Sequence, residues 1–239
     1  MPELILTAAW LDKTFYGFDN GILRALHSLG EATGYLTNYL FRFITSFAED
    51  GYFMLALCLA MIVIPCIPAI YRKNPEKARN VIICGVAGFT AIALGAVVTN
   101  LTIKRQVARI RPYEASALYR DWWTLAKGNI DKEFSFPSGH TTCTMAAMTS
   151  IFIRFNKKYS WTAFIFVILM GLSRIYLMMH YPTDIIGGIL VGGISAVLMN
   201  LLWVYVFRKV SALKEAGANR RSSQYGHLLR LLRGELGSE

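Results

Sequence analysis

Charge is scarce in this chain. Only 17% of its 239 residues are Asp, Glu, Lys or Arg, where a soluble globular domain carries about 25%. With 54% hydrophobic residues and a mean hydropathy of +0.40, that scarcity excludes an ordinary soluble domain and indicates a membrane protein. The length suits one domain with a handful of spans. Cysteine is sparse as well. Cys58, Cys66, Cys84 and Cys143 lie in apolar stretches without metal-ligand spacing, and they read as small buried hydrophobes. The N-terminus lacks a basic segment followed by an apolar one, so no cleavable signal peptide is expected. Basic residues outnumber acidic ones, for a net charge of +10. No basic run is interleaved with aromatics, however, which argues against nucleic acid as a partner.

What the sequence does have is long apolar runs. A spanning helix needs about 20 mostly apolar residues. Residues 51–71 and 81–103 are uncharged and qualify, the first with Pro65 and Pro68 expected to kink it. Residues 185–207 qualify too, and the Gly187-Gly188 and Gly192-Gly193 pairs there suit close helix approach. Two weaker candidates are 139–153, which is short, and 160–179, which must accommodate Arg174. A charge at that depth is costly and marks a functional site by default. Between residues 20 and 48, Ile22, Leu23, Leu26 and Leu29, then Leu36, Leu40, Phe43, Ile44 and Phe47, recur at helical spacing among polar residues. They read as amphipathic helices lying at the interface or packing on the bundle, with a sixth span as the alternative.

The expected fold is therefore an all-α membrane bundle of five spans, or six. Residues 1–50 form its amphipathic N-terminus, 51–207 the embedded domain and 208–239 a basic tail. The links 72–80 and 154–159 and the tail hold four, three and seven basic residues against one, none and three acidic ones. The first fifty residues hold three basic and six acidic. Positive charge marks the cytoplasmic side, so the N-terminus is expected outside and the tail inside. The link 104–138 then faces outside, with Trp122 and Trp123 suited to the headgroup level.

Three motifs fall at that outer face: Lys104 with Arg111-Pro112, then Pro137-Ser138-Gly139-His140, then Ser173-Arg174 with His180 and Asp184. Arg111 and Arg174 offer planar forks that match phosphate oxygens, and Lys104 adds a point charge. Lys104 and Arg111 are seven apart and would share a face if helical, although a basic juxtamembrane cluster with Arg105 and Arg109 is the simpler reading of that segment. Gly139 permits close backbone approach, amides at a helix N-terminus bind anions and the Ser138 hydroxyl adds a donor; a plain turn capping a span is the alternative. A carboxylate on one ring nitrogen of His180 would free the other for attack, whereas a capping Asp184 beside an interfacial histidine is the bland reading. With no third clustered histidine, no Cys ligand and no acidic cluster, neither a metal nor another cofactor is expected.

The combined pattern Lys-x6-Arg-Pro, Pro-Ser-Gly-His and Ser-Arg-x5-His-x3-Asp resembles the type 2 phosphatidic acid phosphatase superfamily, in its compact bacterial membrane form. Every motif position matches, over a layout running from about Asp19 to Phe207. The resemblance implies a lipid phosphatase of two steps. His180 would be the nucleophile, Asp184 its orienting partner and His140 the general acid and then base. Lys104, Arg111, Ser138, Gly139 and Arg174 would hold the phosphate oxygens, without a metal.

The implied partner is a lipid phosphate reached from the bilayer of the bacterial cytoplasmic membrane, at its extracytoplasmic side. An outward site favours undecaprenyl diphosphate. Phosphatidylglycerol phosphate, phosphatidic acid or lipid A phosphate is the alternative. A lipid phosphotransferase, or a membrane protein that merely binds phosphate, are the rival classes. Nothing in the sequence specifies an oligomer.

Overall fold

The computed structural model describes residues 2–34, 36–47, 51–128 and 130–232. Every regular element among the described residues is helical. In chain order these are α1 (Pro2–Ala32), α2 (Thr37–Ser46), α3 (Tyr52–Val63), α4 (Pro68–Lys73), α5 (Pro75–Ala96), α6 (Lys104–Val107), α7 (Pro112–Ala115), α8 (Ala117–Ala126), α9 (Gly139–Arg154), α10 (Lys157–Ser160), α11 (Ala163–Tyr176) and α12 (Pro182–Leu232). Residues 1–200 form one compact unit and 201–239 a second, the latter helical as far as Leu232.

Three stretches are long and apolar enough to cross a membrane: Pro75–Ala115, Lys157–Tyr176 and Pro182–Arg221. They correspond to the second, fourth and fifth expected spans. The count of five is not reached by this measure, and the reasons are local. Pro65 and Pro68 break the first apolar run. Helix α3 passes into a 3₁₀ turn at Ile64–Cys66, and Ile67 is extended before α4. The apolar helix Tyr52–Cys66 is therefore short. Helix α9 has 16 residues, about 24 Å at 1.5 Å per residue, and it is rich in threonine.

That threonine content reflects a central position. Helix α9 packs between α5 and α11, so its polar side chains face protein, and several bond within the helix. Thr142 donates to Ser138 O at 2.9 Å and Ser150 to Ala146 O at 3.0 Å. The first residues of α12 cross α9 closely. A Cβ built on Gly188 would lie 2.7 Å from Ser138 O, and one on Gly192 would lie 2.4 Å from Thr142 O. Ile186, Leu190 and Ile194 on α12 are exposed, as a lipid-facing surface would be.

The amphipathic N-terminal segment resolves into the long α1 and the short α2. Phe41 and Ile44 of α2 are buried while Tyr39, Leu40 and Phe43 are exposed. Asn38 donates to Leu125 O at 2.8 Å and accepts from the Tyr176 hydroxyl, so α2 docks against α11 and the end of α8.

Candidate active site

Each motif arrives at the site on a different local structure. Beyond α5 the helix widens into a π-helical stretch at Val97–Ile103, which places Lys104 at the start of α6. Such widenings recur at functional sites. Helix α6 then stops at Val107, because Ala108 takes φ 52°, a left-handed conformation. The expectation that Lys104 and Arg111 share one helical face therefore does not hold. Lys104 sits on the helix, whereas Arg111 lies beyond the break with φ −72° and ψ 153°. Pro112 occupies the first position of α7, where its missing N–H costs nothing.

The second motif opens α9. Ser138 is its N-cap, and the Ser138 Oγ accepts from Thr141 N at 3.4 Å and from Thr141 Oγ1 at 3.1 Å. The third motif closes α11 and opens α12. Both Met179 N and His180 N donate to Arg174 O, at 3.0 and 3.3 Å. Met178 adopts φ 55° in that turn, a strained conformation for a side chain of its size. The turn leads directly to His180, and Asp184 follows in the first turn of α12, where the helix dipole favours a carboxylate.

Lys104, Arg111, Gly139, His140, Arg174 and His180 line one cavity of about 710 Å³. Ser138 and Asp184 do not line it. Asp184 is fully buried behind His180, with Oδ2 3.5 Å from His180 Nδ1. On the other side of the ring, Arg111 Nη1 lies 3.1 Å from His180 Nε2. A guanidinium can only donate, so Nε2 carries the lone pair and Nδ1 the hydrogen, which faces Ser135 Oγ at 3.4 Å with Asp184 beside it. Burial, and then Arg111, Arg174 and Lys104, push the His180 imidazole well below its ordinary value of 6.5. A lowered value keeps the ring neutral as pH falls through 6.5, so Nε2 keeps its lone pair, which faces Arg111 Nη1. Arg174 donates to Thr45 Oγ1 at 3.1 Å, which brings α2 to the cavity wall. A methyl built on Gly139 would stand 3.9 Å from Lys104 Nζ, an ordinary contact distance, which puts the start of α9 beside that cation. Leu55, Phe89, Ile92, Ala93 and Ala96 give the same cavity an apolar side.

Residues outside the motifs complete the site. Ser135 donates to Asp184 Oδ2, and its Oγ lies 3.4 Å from His180 Nδ1. Arg109 is buried behind Asp184. Its Nη1 donates to Asp184 Oδ1 and to Thr183 Oγ1, both at 2.7 Å. Its Nη2 donates to Asp19 Oδ2 and its Nε to Asp12 Oδ1, both at 2.8 Å. The guanidinium also lies over the Tyr181 ring, 3.9 Å from its centre. Arg109 is thus not a member of a solvated basic cluster. It ties α1 to the carboxylate behind His180. Asp12 and Asp19 are seven apart, which puts both on one face of a helix, but two acids on one face read equally as a solvated surface, so the sequence does not announce the buried cation.

Residues 85–209 match the profile of the PAP2 superfamily, and that stretch contains all three motifs. The chain belongs to the PAP2 superfamily. Among PAP2 relatives, it is 28% identical over 170 residues to the undecaprenyl-diphosphatase BcrC of Bacillus subtilis, which is 71% of this chain and 76% of that protein. It is 32% identical over 161 residues to the lipid A 4'-phosphatase of Porphyromonas gingivalis, covering 65% of this chain and 66% of that one. A solved structure shares the fold. The transmembrane PAP2-type phosphatidylglycerolphosphate phosphatase from Bacillus subtilis superposes with a TM-score of 0.59 at 22% identity, over 83% of this chain and 90% of the other. With its apolar helices, this PAP2 chain is a membrane protein.

Proposed function

We propose that this PAP2 chain, a lipid phosphatase by family, removes phosphate from a membrane lipid phosphate or diphosphate through a phosphohistidine on His180. The carrying observation is the placement of His180 in a cavity of cations, with Nε2 against Arg111 Nη1, which an entering phosphate would draw onto itself, and Nδ1 beside Ser135 and Asp184. Lys104, Arg111 and Arg174, with the Gly139 amide at the start of α9, would hold the equatorial oxygens, where charge must be stabilised. The Ser138 hydroxyl, engaged with Thr141, would contribute by fixing that helix start. His180 Nε2 forms a bond to phosphorus as the bond to the leaving oxygen breaks, and His140 protonates that oxygen. His140 then takes a proton from the water that splits the nitrogen–phosphorus bond. Charge stabilisation comes from the side chains, so no metal is required.

The apolar side of the cavity supports a lipid-attached phosphate over a soluble one. Undecaprenyl diphosphate is the favoured substrate, supported by the likeness to the BcrC enzyme. Lipid A phosphate is the second reading, supported by the lipid A 4'-phosphatase, with a glycerolipid phosphate beside it, supported by a phosphatidylglycerophosphatase of Bacillus subtilis that is 28% identical over 103 residues. The test is a panel of these lipids in mixed micelles with purified protein and chelator present. Phosphate release is expected to survive the chelator and to be fastest with undecaprenyl diphosphate. Release from none of the lipids, or release abolished by chelator, overturns the reading.

The charge asymmetry of the links supports a site at the extracytoplasmic face of a bacterial cytoplasmic membrane. Thr124→Cys in intact cells is expected to react with an impermeant thiol reagent above the background of the parent chain, whereas Asn156→Cys reacts only after lysis. The reverse pattern would invert the topology.

A further inference from the structure

Two cations of the cavity are already occupied by carboxylates from one loop. Lys104 Nζ pairs with Glu133, and Arg111 Nη2 with Asp131. Both acids belong to the connection between α8 and α9 and line the cavity. They differ in how they are held. The Asp131 side chain is 28% exposed. Its Oδ1 accepts from Glu133 N at 3.0 Å, and its backbone carbonyl accepts from the Tyr113 hydroxyl at 2.7 Å. The Glu133 side chain is 58% exposed, and no other hydrogen bond to its carboxylate is seen among the described residues. Its backbone is anchored independently, because Arg111 Nε donates to Glu133 O at 2.8 Å. The loop therefore stays in place when the Glu133 carboxylate rotates toward solvent, while Asp131 is fixed on Arg111.

We propose that Glu133 is a tethered stand-in for phosphate that sets the selectivity of the site, lying on Lys104 until a lipid phosphate displaces it, while Asp131 serves to aim Arg111. This rests on the reading of the cavity as a phosphate site. A buried ammonium needs a counter-charge, and Glu133 supplies it. An incoming anion must exchange with that carboxylate, which competes from the same chain at high effective concentration. Orthophosphate and small soluble phosphoesters gain only the cations in that exchange. A lipid phosphate also buries its chain against Leu55, Phe89 and Ile92, and that apolar gain offsets the displacement. The consequence is weak inhibition by orthophosphate, the product, and poor use of soluble phosphoesters.

The experiment measures orthophosphate affinity of the full-length chain in detergent, by calorimetry and by inhibition of lipid hydrolysis, for wild type, Glu133→Gln and Asp131→Asn. Glu133 is on an exposed loop, so Glu133→Gln folds normally. It is expected to bind orthophosphate about three- to ten-fold more tightly, and to lower KM for p-nitrophenyl phosphate more than KM for the lipid. Asp131→Asn is expected to change orthophosphate affinity less, because Arg111 stays held by the Glu133 and Met179 carbonyls and Asp131 is not the group displaced. Unchanged or weaker orthophosphate binding in Glu133→Gln overturns the proposal, as does equal tightening in both variants. Binding is read without turnover. A wild type that binds phosphate but hydrolyses no lipid therefore counts against the proposed activity alone.

Discussion

His180→Ala is expected to reduce lipid phosphate hydrolysis by about 10⁴-fold or more, the scale on which enzymes lose rate with their nucleophile. Orthophosphate binding should change little, because Arg111 keeps its bonds to Glu133 O, Met179 O and Asp131 without the imidazole, and Lys104 and Arg174 also line the cavity. Loss of kcat without loss of binding separates a nucleophile from a phosphate ligand. The partner variant sharpens the point. His140→Asn removes the group assigned to proton transfer, an effect of about 10²–10⁴-fold, and leaves Nε2 of His180 free to attack. With a substrate whose leaving group departs without an acid, the phosphoryl group should collect on the chain, since the water step has lost its base. Radiolabel retained by His140→Asn and absent from a double variant with His180→Ala is the expected result. Hydrolysis by His180→Ala within ten-fold of wild type would sink the phosphohistidine, and label retained in the double variant would move it to another residue.

The sequence shows the site's inner residues clearly and its supports poorly. Lys104, Arg111, Gly139, His140, Arg174 and His180 were found by motif spacing, and they line one cavity. Spacing reports which residues recur together, not how the backbone turns between them. Seven-residue spacing alone puts Lys104 and Arg111 on one helical face, but Pro112, four residues beyond Ala108, would clash with the Ala108 carbonyl in a continued helix, and the chain breaks there. Ser135, Thr45 and Thr183 carry no periodic signal, because each contributes a single hydroxyl to a bond made across the fold. The fold shows a similar division. The apolar runs at Pro75–Ala115 and Pro182–Arg221 announce themselves by length. Helix α9 does not, because a helix surrounded by other helices can keep threonines that lipid would reject. Hydropathy measures contact with lipid, and α9 sits mostly against protein.

Arg109 is where that limit has its largest consequence, and Arg109→Lys is the variant that tests it. The guanidinium makes four hydrogen bonds to four residues, two of them the buried carboxylates of Asp19 and Asp184. Removing the charge would strand both acids, at a cost of about 3–5 kcal/mol, so Arg109→Gln should fold poorly. Lysine keeps the charge but offers a single ammonium in place of a planar fork. It can satisfy one carboxylate well and not both in their present positions. Asp184 would then shift from Nδ1 of His180, where it now stands at the edge of hydrogen-bond reach at 3.5 Å. Arg109 does not line the cavity, so its loss should appear in kcat and not in KM. Arg109→Lys is expected to fold, to lower kcat by about 10- to 100-fold and to leave KM within about two-fold. Asp12→Asn is the control. It removes one contact to a side chain that is 52% exposed, and exposed pairs contribute at most about 1 kcal/mol, so its kinetics should stay near wild type. A rise in KM at constant kcat would make Arg109 a substrate contact. An unchanged kcat in Arg109→Lys would show that Asp184 keeps its place without the fork, and that the tie from α1 holds the fold and not the chemistry.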